Sequence, residues 1–376
     1  MKGSVTYSKL SDLCKVQNGY AFDSKMFTSD SNDMPLVRIR DIKTGKTETF
    51  YKGEYSEEYV LHNGDYIIGM DGEFNITEWQ GGNALLNQRV CRITVSSSKV
   101  LPKYILYFLP LPLKKIEDET PFVTVKHLSS KKLNDVMVPV PSVDEQQRII
   151  DELDLLTGII DKKNAQLRDL DAMAQSIFYE MFGDPVINEK GWPVHLLEEI
   201  ASSQIGLTYK PENVAEIGTV VLRSSNIQNS LIDLNDIVRV NCDIKEKQYV
   251  REGDILMCSR NGSFKLVGKV ARIQNLPERM SYGAFMTTIR SEYNDYLFGF
   301  FKTPAFRAQL GLAKTATINQ ITVKMLNAIR LPVPPKDIQT AFAERIAHIS
   351  SQQNAIIKSL EDIQQLLDSR MSSYFG

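Results

Sequence analysis

Basic and amide side chains gather on predicted turns in two separate parts of the sequence. The first group is Arg38, Arg40, Lys43, Lys46, Asn75, Gln88 and Arg89, with Trp79 and Asn87 beside them. The second group is Arg223, Asn226, Arg260, Asn261, Lys265 and Tyr282, with Ser225 and Ser263 beside them. Arg and Lys bind guanine edges or phosphates, and Asn and Gln bind adenine through two hydrogen bonds. Both groups are therefore candidates for DNA contacts, and ordinary polar loop chemistry is the alternative for any single member.

Motifs of catalysis are missing from the sequence. Residues 40–47 end like a phosphate-binding loop, but Arg40 stands where that loop needs its first glycine. The sequence contains neither GxGxxG nor GxSxG, and it lacks the Asn- or Asp-Pro-Pro-aromatic tetrapeptide of amino-methyltransferases. Its four histidines form no HxxxH pair that would bind a metal. We expect no catalytic residue and no metal site.

Composition indicates an ordinary globular protein. The chain has 376 residues, of which 43% are hydrophobic and 24% charged, and its length suggests two or three domains. The four cysteines form no CxxC pair, the N-terminus lacks an apolar signal core, and no apolar stretch reaches the roughly 20 residues of a membrane span. We therefore expect a soluble, cytoplasmic protein that does not enter a membrane.

The net charge of −2 argues against a strongly basic nucleic-acid binder, but the charge is unevenly distributed. Residues 141–184 hold 10 Asp and Glu against 4 Lys and Arg, whereas residues 185–335 hold 14 against 18. Binding to an anionic partner would therefore depend on local patches of the longer segments.

The chain contains an internal repeat. Residues 124–183 align with residues 317–376 without a gap at an offset of 193, with 14 identities in 60 positions. Both copies contain Leu-Asn followed by a Pro-Val-Pro motif, at 133–141 and 326–334, and both end on Phe-Gly. Upstream of these segments the likeness is weaker but stays in order. The sequence therefore predicts two copies of a variable globular part, here called a head, followed by a more similar tail.

Each tail has the pattern of a long helix with a heptad repeat of apolar residues. The predicted helix-pairing residues are Ile149, Leu153, Leu156, Ile160, Leu167, Leu170, Ile346, Ile349, Ile356, Leu360, Ile363 and Leu367. Ser142 with Glu145 fits a capping box at the start of the first helix, and Gly183 fits its end. Such a stripe needs a partner, which is either the head of the same repeat or, as we favour, the other helix. Lys163, Gln353 and Arg370 interrupt the stripe and either set its register or contact a partner.

The heads have the pattern of mixed α/β units with short strands. Strands are predicted at 36–39, 66–69, 90–95, 219–222, 254–257 and 267–273, and short helices at 103–108 and 296–302. The predicted organisation is head one at 1–141, a helix at 142–183, head two at 184–334 and a helix at 335–376. The fold class is α/β (α+β), with two tandem heads separated by two long helices that form an antiparallel coiled coil with pseudo-two-fold symmetry.

Three motifs make the chain resemble the specificity subunit of type I restriction–modification systems. The first is VPVPSVDEQQRI at 138–149, which resembles the start of the family's conserved helix. The second is LSDL at 10–13 with NGYAF at 18–22, and the third is FGDP at 182–185 with GWP at 191–193 and LEEI at 197–200. The second helix departs from the pattern, since Ile338 stands where glutamate is usual.

The resemblance implies that each head is a target-recognition domain for one half of a bipartite site in double-stranded DNA. It implies that the helices set the gap between the halves. The chain would be non-catalytic and would bind no cofactor. It would dock two adenine-N6 methyltransferase subunits and, through them, restriction/translocase subunits, so that S-adenosylmethionine, ATP and Mg are expected on those partners.

Three alternatives stay open at this point. The chain could be a coiled-coil adaptor that joins two proteins without contacting DNA, or an enzyme with an unfamiliar site in one head. It could also serve a complex that only methylates DNA, which the sequence does not distinguish from a restriction complex.

Overall fold

The computed structural model describes residues 6–120, 126–311 and 320–376. The chain divides into two compact units. Unit 1 holds the residues up to Lys163 and those from Lys358 onward, and unit 2 holds Asn164–Ile357. Within the described ranges, no helix is both long enough and apolar enough to cross a membrane.

Unit 1 contains head one, which is built from short strands and helices. Its strands are β1 (Thr6–Lys9), β2 (Cys14–Asn18), β3 (Phe27–Thr28), β4 (Met34–Val37), β5 (Phe50–Tyr51), β6 (Val60–Leu61), β7 (Tyr66–Gly69), β8 (Ile76–Glu78), β9 (Ala84–Leu86), β10 (Val90–Val95) and β11 (Met137–Val140). Its helices are α1 (Leu10–Leu13), α2 (Pro102–Phe108), α3 (Pro110–Glu119), α4 (Ser130–Asn134) and the first half of α5 (Val143–Phe182).

The described strands of head one form three sheets. One has the order β2-β10-β7-β8 and is antiparallel throughout. A second has the order β3-β5-β4-β9-β6 and contains one parallel pair, β4 with β9. In the third, β1 pairs with β11 and so brings the start of the head to the strand before α5.

Unit 2 contains head two. Its strands are β12 (Val194–Leu196), β13 (Ser202–Ile205), β14 (Val214–Ala215), β15 (Thr219–Leu222), β16 (Ile227–Gln228), β17 (Leu231–Ile232), β18 (Val238–Val240), β19 (Ile255–Cys258), β20 (Val270–Arg272), β21 (Ser281–Tyr282), β22 (Met286–Arg290) and β23 (Arg330–Pro332). Its helices are α6 (Leu197–Ile200), α7 (Asn294–Phe301), α8 (Pro304–Gln309), α9 (Val323–Asn327) and the first half of α10 (Lys336–Phe375).

Head two repeats the plan of head one. The sheet β13-β22-β19-β20 matches β2-β10-β7-β8, the parallel pair β15 with β21 matches β4 with β9, and β12 with β23 matches β1 with β11. The remaining sheets of the two heads differ. In head two the parallel pair belongs to a four-stranded sheet of order β14-β18-β15-β21, and β16 pairs with β17 in a separate sheet. In head one the parallel pair belongs to the five-stranded sheet β3-β5-β4-β9-β6. The predicted tandem of mixed α/β heads is confirmed, and the repeat is one of sheet topology as well as of sequence.

Helix α5 begins at a network built from side chains of the VPVPSVDEQQRI motif. Ser142 Oγ accepts a hydrogen bond from the backbone N–H of Glu145 at 3.2 Å, as a cap does. The carboxylate of Glu145 binds Arg148 instead of returning to Ser142, and this contact lowers the pKa of Glu145. The structure therefore contains one of the two predicted capping-box hydrogen bonds.

The next residue, Gln146, is fully buried and ties the start of α5 to the head. Its Oε1 accepts from the N–H of Leu101 at 2.8 Å, and its Nε2 donates to the carbonyls of Lys99 and Pro141 at 2.8 and 3.0 Å. Gln339, at the matching position of α10, donates to the carbonyl of Pro334 at 2.7 Å. The glutamine contact thus survives in the second helix even though Ile338 replaces the glutamate.

The two long helices run antiparallel within each unit. In unit 1, Glu152 of α5 binds Arg370 Nε at 2.9 Å and accepts a hydrogen bond from Tyr374 at 2.5 Å. The Arg148 guanidinium, one turn earlier, lies 5.8 Å from the centre of the same Tyr374 ring. Lower numbers on α5 therefore face higher numbers on α10.

The same direction holds in unit 2. Gln353 donates to Asp171 Oδ1 at 3.2 Å, and Arg345 binds Glu180 at 3.2 Å. Two of the three predicted interruptions of the stripe, Gln353 and Arg370, thus contact the facing helix. Every one of the predicted helix-pairing residues is buried or half-buried: Ile149, Leu153, Leu156, Ile160, Leu167, Leu170, Ile346, Ile349, Ile356, Leu360, Ile363 and Leu367.

Each helix ends in a phenylalanine that is packed into the core of a head. Phe182, at the end of α5, lies 4.9 Å from Tyr296 and 4.8 Å from Phe342, measured between ring centres. Phe375, at the end of α10, lies 5.4 Å from Tyr104 and 5.8 Å from Phe108. Tyr104 and Tyr296 hold matching places in the two heads, since their hydroxyls donate to the carbonyls of Pro139 and Pro332. Each unit therefore encloses the start of one helix and the end of the other.

We predict that Gln146→Leu lowers the free energy of unfolding of unit 1 by about 1–3 kcal/mol, because the N–H of half-buried Leu101 loses its acceptor. The measurement is urea denaturation in a Trp192→Phe background, where buried Trp79 is the remaining tryptophan and reports on head one. Gln147→Leu is the matched control, since Gln147 is exposed. Equal midpoints for the two variants would contradict the structural role of Gln146.

Candidate nucleic-acid interface

A single turn of 3-10 helix, Ile39–Asp41, positions the first predicted arginines of head one. It follows β4, and buried Asp41 holds it in place by accepting a hydrogen bond from the N–H of Arg38 at 2.9 Å. Arg40 donates to Thr49 Oγ1 at 3.0 Å, while its side chain stays 61% exposed. The turn therefore carries two neighbouring arginines, of which Arg40 is exposed and Arg38 half-buried.

Two clefts flank this turn and share Ile39. The first, of about 260 Å³, is lined by Ile39, Arg40, Ile42, Lys43, Asp71, Glu73 and Asn75. The second, of about 330 Å³, is lined by Phe22, Ser24, Phe27, Arg38, Ile39, Asn87, Gln88 and Arg89. The structure thus brings six of the seven residues predicted in head one into neighbouring clefts. Lys46 is exposed but lines neither cleft.

Close backbone packing positions the segment with Gln88 and Arg89. The N–H groups of Gly19 and Tyr20 donate to the carbonyls of Val90 and Leu86, both at 2.9 Å. A Cβ on Gly19 would lie only 2.1 Å from the carbonyl oxygen of Asn87, so this approach requires glycine. Head two repeats the arrangement, since a Cβ on Gly206 would lie 2.3 Å from the carbonyl oxygens of Tyr282 and Gly283.

Acidic side chains that the sequence analysis did not include lie among the basic ones of head one. Glu73 forms a salt bridge with Lys43, and this contact lowers the pKa of Glu73, so the carboxylate is ionised at neutral pH. Asp71 binds Arg89 at 2.9 Å and the imidazole of His127 at 2.6 Å. Neighbouring carboxylates therefore compensate part of the positive charge of these clefts.

Head two holds Arg223 on a matching turn, Ser224–Asn226. Asn226 Oδ1 accepts from the N–H of Arg223 at 2.8 Å, and Arg223 Nη2 binds Asp236 at 2.8 Å. Asn226 is 1% exposed, and its amide donates to the carbonyls of Asp233 and Asp236 at 2.9 and 2.8 Å. The prediction that Asn226 contacts DNA is therefore wrong for this structure, because every polar atom of its side chain is used to hold the turn.

Tyr282 is also excluded from the surface. It is completely buried on β21, and its hydroxyl shares hydrogen bonds with the carbonyl of Gln204 at 3.1 Å and with Thr288 Oγ1 at 2.7 Å. Burial raises the pKa of this hydroxyl. The predicted DNA contact is wrong here because β21 pairs with β15 inside the head, a long-range parallel pairing that the local sequence does not reveal.

The remaining predicted residues of head two lie on the loop after β19. Arg260 and Lys265 are exposed, and Asn261 is half-buried with its amide donating to Ser224 Oγ at 3.0 Å. The guanidinium of Arg260 lies 5.1 Å from the ring centre of Phe285. Phe285 is 57% exposed and was missed, because a phenylalanine beside a strand is usually a core residue.

Tyr20 is a second exposed aromatic residue that the site prediction omitted. It is 51% exposed, and its ring centre lies 5.1 Å from that of Phe22, which lines the second cleft of head one. Among the residues that the structure describes, no three His, Cys, Asp or Glu side chains are grouped so that they could bind a metal ion.

Comparison with known proteins agrees with this architecture. The family model described as "Type I restriction modification DNA specificity domain" matches residues 3–169 and 189–366. The chain is 28% identical over 391 residues to the type I restriction enzyme EcoBI specificity subunit of Escherichia coli, covering 94% of this chain and 81% of that relative. It is 30% identical over 187 residues to the EcoKI specificity subunit of Escherichia coli K12, covering 47% of this chain and 40% of the relative.

A solved structure has a similar fold. The S subunit of a type I restriction–modification system from M. genitalium superposes with a TM-score of 0.52 at 12% identity, covering 100% of this chain and 97% of the other. Because the family model matches two segments that together span most of the sequence, the family assignment rests on nearly the whole chain. The chain belongs to the type I restriction–modification DNA specificity family.

Proposed function

We propose that this chain is the DNA specificity subunit of a type I restriction–modification complex and that each head contacts one half of a bipartite site in double-stranded DNA. The observation that carries the proposal is the pair of matching turns, Ile39–Asp41 and Ser224–Asn226, each of which displays an arginine beside a loop with further basic and amide side chains. The same framework with different side chains supports two heads that bind different sequences.

The division of labour between framework and loops supports sequence recognition in particular. Asp41 and Asn226 cap the two turns from inside the heads and are nearly fully buried. The side chains on the outside differ, since head one has Gln88 and Arg89 in its second cleft where head two has Phe285 on the matching segment. Base contacts are made by such side chains, whereas phosphate contacts only position a protein on the duplex.

We further propose that the long helices set the gap between the half-sites and dock two adenine-N6 methyltransferase subunits. Apolar side chains remain exposed on them, with Leu155 at 64%, Met173 at 54% and Leu366 at 44%. Exposed large apolar residues on otherwise polar helices fit a protein contact. Restriction/translocase subunits would join through the methyltransferases.

In this proposal the chain itself is non-catalytic and acts in the cytoplasm, where its DNA target lies. S-adenosylmethionine, ATP and Mg would be bound by the partner subunits. The net charge of −2 is consistent with partners that supply much of the contact to the DNA backbone. Methylation alone and methylation with restriction are both compatible with this role.

The first test of the proposal is co-expression of the chain with an adenine methyltransferase partner in a host that lacks DNA methylation, followed by long-read mapping of N6-methyladenine. We expect a bipartite motif with a gap of fixed length, which disappears when this chain is omitted. A continuous motif would contradict the two-headed arrangement. A stable complex without any methylation would favour a protein–protein adaptor.

We predict that Glu73→Gln strengthens binding of the full chain to a non-cognate duplex by about two- to five-fold at low salt. The substitution removes a carboxylate from the proposed surface and frees Lys43, and one unit charge at about 4 Å in water is worth about 1 kcal/mol. Fluorescence anisotropy at two salt concentrations measures the effect, which should shrink at the higher one.

Glu361→Gln is the matched control for this experiment, since Glu361 is exposed on α10 and outside the heads. It makes the same change in total charge and should leave the affinity nearly unchanged. Equal effects of the two substitutions would mean that the first cleft of head one does not face DNA.

A further inference from the structure

The loops after β7 and β19 are held by the same backbone hydrogen bonds. In unit 1, the N–H of Met70 donates to the carbonyl of Arg89 at 2.9 Å. In unit 2, the N–H of Ser259 donates to the carbonyl of Phe285, also at 2.9 Å. Positions 89 and 285 therefore correspond in the two heads.

The next residue of each loop corresponds as well. Asp71 forms an antiparallel bridge with His127, and Arg260 forms an antiparallel bridge with Gln320. The bridging partners stand 193 positions apart, which is the offset of the sequence repeat. One pair of backbone positions, 71 with 89 in head one and 260 with 285 in head two, thus recurs in both heads.

Each pair contains one arginine, but on opposite segments. In head one the arginine is Arg89, whose Nη1 lies 2.9 Å from Asp71 Oδ2. The imidazole of His127 holds Asp71 in turn. The side chain of Asp71 is only 18% exposed, whereas the side chain of Arg89 is 55% exposed. The arginine is thus directed outward by a carboxylate that is itself fixed.

In head two the arginine is Arg260, and an aromatic ring takes the place of the carboxylate. Its guanidinium carbon lies 5.1 Å from the ring centre of Phe285. The N–H of Arg260 also donates to the carbonyl of Phe285 at 3.0 Å, so backbone and side chain of the two residues are joined. Among the described residues, no carboxylate forms a salt bridge with Arg260.

We propose that the equivalent pairs 71 with 89 and 260 with 285 each supply one specificity arginine, Arg89 in head one and Arg260 in head two, which recognises a guanine of that head's half-site. Asp71 and Phe285 are positioning residues that hold the two arginines by different means. This inference rests on the proposed function and deepens it, since it names one base-recognising side chain in each head.

The chemistry of the guanidinium supports this assignment. Arginine presents its N–H donors in a planar fork, and bidentate hydrogen bonds to guanine O6 and N7 are the commonest specific contact in the major groove. Asp71 engages Nη1 of Arg89 and leaves other donors free. The ring of Phe285 holds the Arg260 guanidinium through a cation–π contact and not through a carboxylate, so the Arg260 donors remain available for a base. An arginine whose side chain is held in one orientation discriminates between bases better than a mobile arginine does. A mobile arginine is better suited to contact a phosphate.

Arg260→Lys tests the proposal in the complex with the methyltransferase partner. The substitution keeps the positive charge but removes the planar fork of N–H donors. Folding should be preserved, because the side chain at position 260 is exposed. Initial methylation rates are measured on duplexes in which each guanine of the parent motif is replaced in turn by the other bases. We expect about ten-fold or more loss of discrimination at one guanine of one half-site, with the other half-site unchanged.

Two further variants separate base recognition from a general effect on binding. Arg89→Lys should reduce discrimination at one guanine of the opposite half-site. Lys265→Ala should slow methylation of all duplexes evenly, as loss of a phosphate contact does. Phe285→Tyr keeps an aromatic ring beside Arg260 and should retain the base preference of the parent complex. Phe285→Ala should reduce discrimination at the same guanine as Arg260→Lys does.

The outcomes distinguish this inference from the proposed function. A parent complex without a bipartite motif would overturn both. A bipartite motif whose preferences are the same in the parent and in Arg260→Lys and Arg89→Lys would leave the function intact and overturn the specificity position. Loss of discrimination at the same half-site in both variants would also overturn it.

Discussion

Two long apolar stripes, one on each of the helices α5 and α10, must be buried, and the arrangement of both heads follows from how they are covered. Helices α5 and α10 each have 40 residues, or roughly 60 Å at 1.5 Å per residue, and an apolar stripe of that length is not stable in water. Within each unit, half of one helix covers half of the other, and the head covers the ends. Gln146 and Gln339 attach the starts of the helices to backbone carbonyls, and Phe375 and Phe182 insert the ends into aromatic cores.

Each head can therefore vary its loops without losing its attachment to the helices. The antiparallel four-stranded sheets, the parallel strand pairs and the bridges at positions 71 and 260 are formed by backbone groups, which every residue except proline supplies in full. The side chains that project from this backbone are free to differ, as the change from Arg89 with Asp71 to Phe285 with Arg260 illustrates. A framework of this kind suits a protein whose two heads bind different ligands of the same chemical class.

Strands with strong local patterns agree with the sequence analysis, and strands that depend on distant partners do not. The predicted strands at 66–69, 90–95 and 219–222 have the predicted bounds, because each is rich in β-branched residues and pairs within a sheet. The strand predicted at 267–273 is shorter and occupies Val270–Arg272, since Gly268, two residues after the turn Phe264–Leu266, adopts a positive φ of 84°. Tyr282 was placed on the surface for the same reason that β21 was not predicted, since its strand pairs with β15, far away in the sequence. Asn226 is held by hydrogen bonds with Arg223, Asp233 and Asp236, all within ten residues, and its residue type does not reveal that role.

The duplication, the two long helices and the chemical class of the candidate loops can be inferred from the amino-acid sequence alone. These follow from a constant offset of 193 residues, a heptad period and residue types, all of which are local or periodic properties of the chain. The fold determines which of those side chains are accessible and which contacts hold them. It buried Asn226 and Tyr282, paired Lys43 with Glu73 and Arg89 with Asp71, and placed Phe285 beside Arg260. The physical reason is that burial and charge compensation depend on contacts between segments that are distant in the chain, and no local pattern specifies such contacts.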